Sequence, residues 1–183
     1  ESAPLTVLVQ NRAQTELVLL RVDPHSGATE RILTETDPTW VNIDQQMPKW
    51  LPGGDAFLWT TERNGGDQLE LRDANGKFIR ALTSPEFGYR RLVSVGKAGA
   101  KAIVAASSDP TQSQVFEIDL REAAEPRALS DAAGNHSMVF APDHSAYVHQ
   151  HDSLEGATGY SVYGSGGSKV GELRSVSDAA SFE

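Results

Sequence analysis

An all-β chain built from a repeated strand unit is the fold class this sequence predicts, and three observations carry the expectation. Short β-branched and aromatic runs alternate apolar with polar positions, as a strand with one buried face requires. Dipeptides suited to left-handed backbone, Asn64-Gly65, Asn75-Gly76, Ser26-Gly27 and Gly53-Gly54, separate the runs. Corresponding leucines, Leu33, Leu82 and Leu129, recur 49 and 47 residues apart.

The elements follow in order. Residues 5–10, 17–23 and 31–34 form a first set of three strand-like runs, and 56–62, 67–73 and 78–83 a second. Residues 102–107, 114–120 and 127–130 form a third set, and 146–151, 160–163 and 170–173 a weaker fourth. An additional strand per unit fits residues 40–43, 89–95 and 136–140. The two Asn-Gly pairs predict type I′ hairpins, which need positive φ at both central residues. Aromatic–x–Pro turns, Trp50-Leu51-Pro52 and Phe140-Ala141-Pro142, are expected to reverse the chain on entry to a new unit. The helix-like composition of 121–125 is stopped by Pro126 and reads as a loop.

Four strands per repeat of roughly 40–50 residues is a propeller-blade period. The expected architecture is a partial β-propeller of about three to four four-stranded antiparallel blades. These lie near residues 5–38, 40–87, 89–134 and 136–174, with 175–183 a linker towards a further, absent domain. Propellers close with roughly four to eight blades. The unit is therefore expected to belong to a larger ring or to pair with a copy of itself through exposed apolar blade faces.

Composition limits the function. Sixteen Lys and Arg against 25 Asp and Glu give a net charge of −9, which argues against a nucleic-acid or anionic-membrane surface. No apolar run is long enough to span a bilayer. The absence of cysteine excludes disulfides, thiolate metal sites and a cysteine nucleophile. The opening Glu1-Ser2-Ala3-Pro4 reads as a processed or excised end.

Several segments resemble the propeller of bacterial dipeptidyl peptidase IV-like enzymes of the prolyl oligopeptidase superfamily. They are Asn11-Arg12-Ala13-Gln14-Thr15, the run from Leu33-Thr34-Glu35-Thr36 into Trp40-Val41-Asn42, Trp59-Thr60-Thr61-Glu62-Arg63-Asn64-Gly65, and His136-Ser137 before Phe140-Ala141-Pro142-Asp143. The resemblance spans residues 5–174. It implies an eight-bladed propeller joined to an α/β-hydrolase domain that follows the last blade and releases N-terminal X-Pro or X-Ala dipeptides through a Ser/Asp/His triad. It further implies that the paired glutamates holding the substrate ammonium lie upstream of Leu5, and that the protein is periplasmic or secreted.

No adjacent Glu-Glu and no Gly-x-Ser-x-Gly elbow occurs in these 183 residues, so no catalysis is expected of this chain alone. The expected role is passive, gating access and shaping the pocket. Its expected partners are the hydrolase domain of the same parent chain, peptide substrates and, through the blade faces, a second copy. An alternative is a TolB-like non-enzymatic interaction propeller, and a weaker one is the propeller of an acylaminoacyl peptidase.

No catalytic residue, cofactor-binding residue or metal ligand is assigned, and no cofactor is expected. In relatives the residues after Trp-Val-Asn border the substrate pocket, which nominates Asn42, Asp44 and Gln45 here, although the Phe-Arg pair of some relatives is missing. His149 and His151 share a strand face but lack a third ligand at motif spacing, and read as surface histidines. Glu62, beside Asn64-Gly65, is expected to accept from turn amides. His136, Asp143 and Ser137, Ser145 or Ser161 do not define a triad by sequence. The 164–168 Gly-Ser stretch is expected to be a hairpin tip.

Overall fold

The structure, a computed structural model, describes residues 3–131 and 133–174. The expected linker over 175–183 lies outside the described residues. The strands are β1 (Thr6–Gln10), β2 (Glu16–Val22), β3 (Thr29–Thr36), β4 (Lys49–Trp50), β5 (Ala56–Thr61), β6 (Gln68–Asp73), β7 (Phe78–Ala81) and β8 (Tyr89–Val95). They continue as β9 (Lys101–Ala106), β10 (Gln114–Asp119), β11 (Arg127–Ala128), β12 (Asn135–Phe140), β13 (Ala146–Asp152), β14 (Thr158–Gly164) and β15 (Lys169–Leu173). Every pairing between them is antiparallel between consecutive strands, giving sheets β1–β3, β4–β7, β8–β11 and β12–β15. This is a partial β-propeller, one three-stranded and three four-stranded sheets in succession.

Burial records the stacking. In the two middle sheets, Phe57, Leu58 and Trp59 on β5 and all of 102–106 on β9 are buried, so both faces of these strands are covered. That explains why residues 102–106 read as a continuous apolar run instead of an alternation. β1 and β12–β15 are flanked on one side and stay half exposed, with Val139 and Val170 among the exposed apolar residues. One core joins the first three sheets through Leu19, Ile32, Phe57, Leu69, Val104 and Ile118. A smaller cluster of Ile103, Val115 and Met138 holds the fourth sheet to the third.

Polar contacts cross each boundary. Trp59 Nε1 donates to Glu35 Oε1 at 2.9 Å between the first and second sheets. Arg80 Nη2 donates to the Asp119 carbonyl at 3.0 Å between the second and third. Ser94 Oγ and His144 Nε2 share a hydrogen bond of 3.0 Å between the third and fourth. At the first boundary the β6–β7 turn approaches the β3 backbone so closely that a Cβ at Gly76 would overlap the Ile32 carbonyl. Only glycine fits there, and its φ of +81° adds a second reason.

Three local expectations differ from the structure. Asn64 and Asn75 do not take positive φ; Gly65 and Gly76 do, and their amides donate to Glu62 O and Asp73 O. The hairpins are thus longer loops with one left-handed residue, not type I′ turns. The Pro52 and Pro142 turns connect β4 to β5 and β12 to β13, inside a sheet and not between sheets. Their amide pattern, Leu51 N to Ala56 O with Gly54 N to Leu51 O, recurs at Ala141, Gly96 and Asn11, so the turn geometry does not depend on proline.

The third difference concerns residues 40–43, which are not a strand. Asp37 Oδ1 accepts from the Thr39 and Trp40 amides at 2.7 and 2.9 Å, and Asp44 Oδ1 from Gln46 N at 2.9 Å. Aspartates at both ends therefore curl the segment, competing with ladder bonds. Strand β4 begins later, at Lys49, after a cis Met47–Pro48 peptide.

Candidate functional site at the Trp40–Asp44 loop

The curled segment has one firm attachment. Val41 is buried, its amide donates to Gln14 O at 2.8 Å, and its carbonyl accepts from Gln10 Nε2 at 2.7 Å. The loop is thus pinned to the β1–β2 hairpin of the first sheet while facing β5 of the second. Between them lies a cavity of about 150 Å3 walled by the loop, the end of β3, β5 and the 62–67 hairpin.

Asn42 and Asp44 line this cavity; Gln45 is exposed and does not. Trp40, 53% exposed, stands at its mouth and donates through Nε1 to Asn42 Oδ1 at 3.0 Å. Asn42 Nδ2 donates in turn to Glu62 Oε2 at 2.8 Å. Glu62 therefore reaches across the cavity to the loop instead of satisfying turn amides, because the Gly65 amide is already taken by the Glu62 carbonyl. Arg63 pairs with Glu35, which also holds Trp59. Asp44 Oδ2 accepts from Thr60 Oγ1 at 3.0 Å.

The electrostatics are lopsided. Glu35, Asp37, Asp44, Glu62 and Asp67 face the cavity against Arg63 and Arg90. Partial burial, with Glu62 and Asp44 nearby, pushes the Asp67 carboxyl above its usual range. The Trp40 and Thr39 amides hold Asp37 below it. Tyr89 is raised above an ordinary phenol, first by burial and further by Asp44 and Asp67, and its hydroxyl makes no hydrogen bond of ordinary geometry.

The histidines form a second cluster that their sequence positions hide. The β12–β13 register sets His136 opposite His151 and two residues from the partner of His149. His136 is buried, shares a hydrogen bond of 2.8 Å with His149 Nε2, and stacks on His151 at 4.4 Å. His149 and His151 are thus half-buried members of a stack, not surface histidines. Its third member sits on the neighbouring strand, where motif spacing cannot find it. No group of three metal-ligating side chains with metal-like geometry occurs among the described residues. The 164–168 stretch connects β14 to β15 as a hairpin. No helix among the described residues is long and apolar enough to cross a membrane.

Four meander sheets stacked side by side, with a cavity opening between neighbours, define a propeller domain. Residues 1–157 match the dipeptidyl peptidase IV (DPP IV) N-terminal region, and the chain belongs to that family. Among solved structures it is similar to Porphyromonas gingivalis dipeptidyl peptidase 4, at 24% identity over 93% of this chain and 24% of that one, with a TM-score of 0.82. It is also similar to a Bacteroides ovatus protein described as a dipeptidyl aminopeptidase IV, at 14% identity over 92% of this chain and 27% of that one, with a TM-score of 0.77. The chain therefore spans about a quarter of each of those proteins. At these identities the structural likeness speaks for the fold.

Proposed function

We propose that this chain is the propeller portion of a dipeptidyl peptidase IV-like serine exopeptidase, where it gates access and shapes the pocket for release of N-terminal X-Pro and X-Ala dipeptides. The family match over residues 1–157 carries the reading. The chemistry belongs to an α/β-hydrolase domain of the same parent chain, in the periplasm or a secreted space. Within the propeller, Asn42 and Asp44 border the path of the peptide, supported by their place on a cavity wall. Gln45 sits beside them on the exposed side of the loop. A second copy is the proposed partner for the half-exposed outer sheets, which display Val139 and Val170.

The test uses the parent enzyme and a chromogenic Gly-Pro anilide. Asn42→Ala and Asp44→Asn should raise KM several-fold with little change in kcat, because they alter binding without touching the reacting atoms. Unaltered KM in both variants would remove the substrate-proximal assignment. Absence of any X-Pro cleavage by the parent would remove the peptidase reading itself. For the dimer, sedimentation of the chain as a monomer at high concentration is the contrary result.

A further inference from the structure

We propose that Asn64 is a site of self-modification, where asparagine converts to aspartate and isoaspartate through a cyclic imide, while the fold keeps Asn75 unreactive. Both residues precede glycine and so carry the same intrinsic chemistry, because no Cβ hinders the following amide nitrogen as it approaches the asparagine side chain. The two nitrogens even share one hydrogen-bond pattern. Gly65 N donates to Glu62 O and Gly76 N to Asp73 O, each at 2.9 Å. The difference lies in what else holds each loop.

At Asn64 the tethers are few. Asn64 and Gly65 are both exposed, and a Cβ at Gly65 would meet nothing within 4 Å. The Asn64 side chain makes one hydrogen bond among the described residues, from Nδ2 to Gln68 Oε1 at 2.6 Å. Asn75, although exposed itself, sits in a loop clamped from several directions. Asp73 Oδ1 accepts from the Asn75 and Lys77 amides at 2.9 and 3.0 Å, and buried Arg72 Nη1 donates to Gly76 O at 2.7 Å. Arg21, from the first sheet, donates to Asn75 Oδ1 at 3.3 Å and to the Ala74 carbonyl. Gly76 is packed on the Ile32 carbonyl. Ring closure requires the peptide after the asparagine to rotate until the glycine nitrogen faces Cγ. An exposed hairpin tip opens locally at little free-energy cost, whereas a loop tied to a neighbouring sheet opens only with that boundary.

In the reaction, hydroxide removes the Gly65 N–H proton and the nitrogen attacks Asn64 Cγ. The Cγ–Nδ2 bond breaks, and ammonia leaves with a proton taken from water. Water then opens the imide. Addition at Cγ gives aspartate, and addition at the main-chain carbonyl carbon gives isoaspartate, whose backbone runs through Cγ. Either product carries a carboxylate, which cannot donate to Gln68 Oε1 as the amide did. It also adds negative charge beside Glu62 and Asp67 on the hairpin that walls the cavity. The inference stands on the hairpin alone and is independent of the peptidase reading.

The test incubates the whole chain at mildly alkaline pH, folded and in parallel in urea. Peptide mapping by mass spectrometry follows each asparagine, and methyl labelling by an isoaspartate methyltransferase detects the isoaspartate. In the folded chain Asn64 should convert at least about tenfold faster than Asn75, at a rate that rises with pH. In urea Asn75 should catch up with Asn64, since only the fold separates them. Asn64→Ser should remove the fast methyl-accepting fraction. Equal rates at the two sites in the folded chain would overturn the proposal, as would an Asn64 that reacts only in urea. Aspartate formed without isoaspartate, or rapid methyl acceptance that persists in Asn64→Ser, would overturn it equally.

Discussion

Replacing Glu70 by methionine should unfold the second sheet far more readily than its modest volume change suggests. Glu70 and Arg72 face the same side of β6, with side chains only 4% and 6% exposed. Glu70 Oε2 accepts from Arg72 Nε at 3.0 Å and Nη2 at 2.6 Å. Arg72 Nη1 donates to Gly76 O at 2.7 Å, and the Phe78 ring lies 5.9 Å from the guanidinium carbon. Once Glu70 is gone, a buried cation keeps one carbonyl and one ring face, far short of what water would supply. A broken buried pair costs about 3–5 kcal/mol. For a chain of this size that lowers Tm by on the order of 10 °C. Glu70→Met with Arg72→Leu removes both charges, and the double variant should recover to within about 1.5 kcal/mol of the parent. Urea unfolding of the four members of this cycle measures the coupling. A loss below about 1 kcal/mol in Glu70→Met, or a double variant as unstable as the two single losses combined, would refute the argument.

Other outcomes follow from the same contacts. Gly76→Ala should destabilise by about 2 kcal/mol or more, since its Cβ meets the Ile32 carbonyl and its φ is positive; an unfolding midpoint equal to wild type would contradict the close approach. Met138→Ala should speed amide exchange in β12–β15 while leaving β5 and β9 protected, because the fourth sheet rests on the small Ile103–Val115–Met138 cluster; uniform acceleration would show one cooperative unit. Burial, then His136 and His151, hold His149 below an ordinary imidazole, with Asp131 opposing them. Its neutral form therefore contributes stability above about pH 6.5, lost as pH falls through the lower folded value. His149→Gln should flatten that limb of the stability–pH curve, and an unchanged slope would exclude His149 as its source.

The strands were legible because their causes are local. Alternation on β10 and unbroken apolarity on β9 each state how many faces are covered, and the leucine spacing exposes the repeat. Residues 40–43 misled because Trp, Val and Ile favour strands, while the aspartates that bend the segment lie outside the run, at 37 and 44. The site was partly legible. Asn42 and Asp44 could be nominated through resemblance, but the reach of Glu62 to Asn42, twenty residues away, follows from sheet stacking. His136 was invisible as a partner of His149 and His151 for the same reason: register, not motif spacing, brings them together.

The two hydrogen bonds that fasten Val41 to Gln10 and Gln14 tie the cavity's loop wall to a neighbour that contributes little else to its polar lining. Any recombination of blades between relatives that cuts between residues 10 and 41 would part the wall from its anchor. Transplanting this cavity would require the first hairpin to travel with it, as one heritable block.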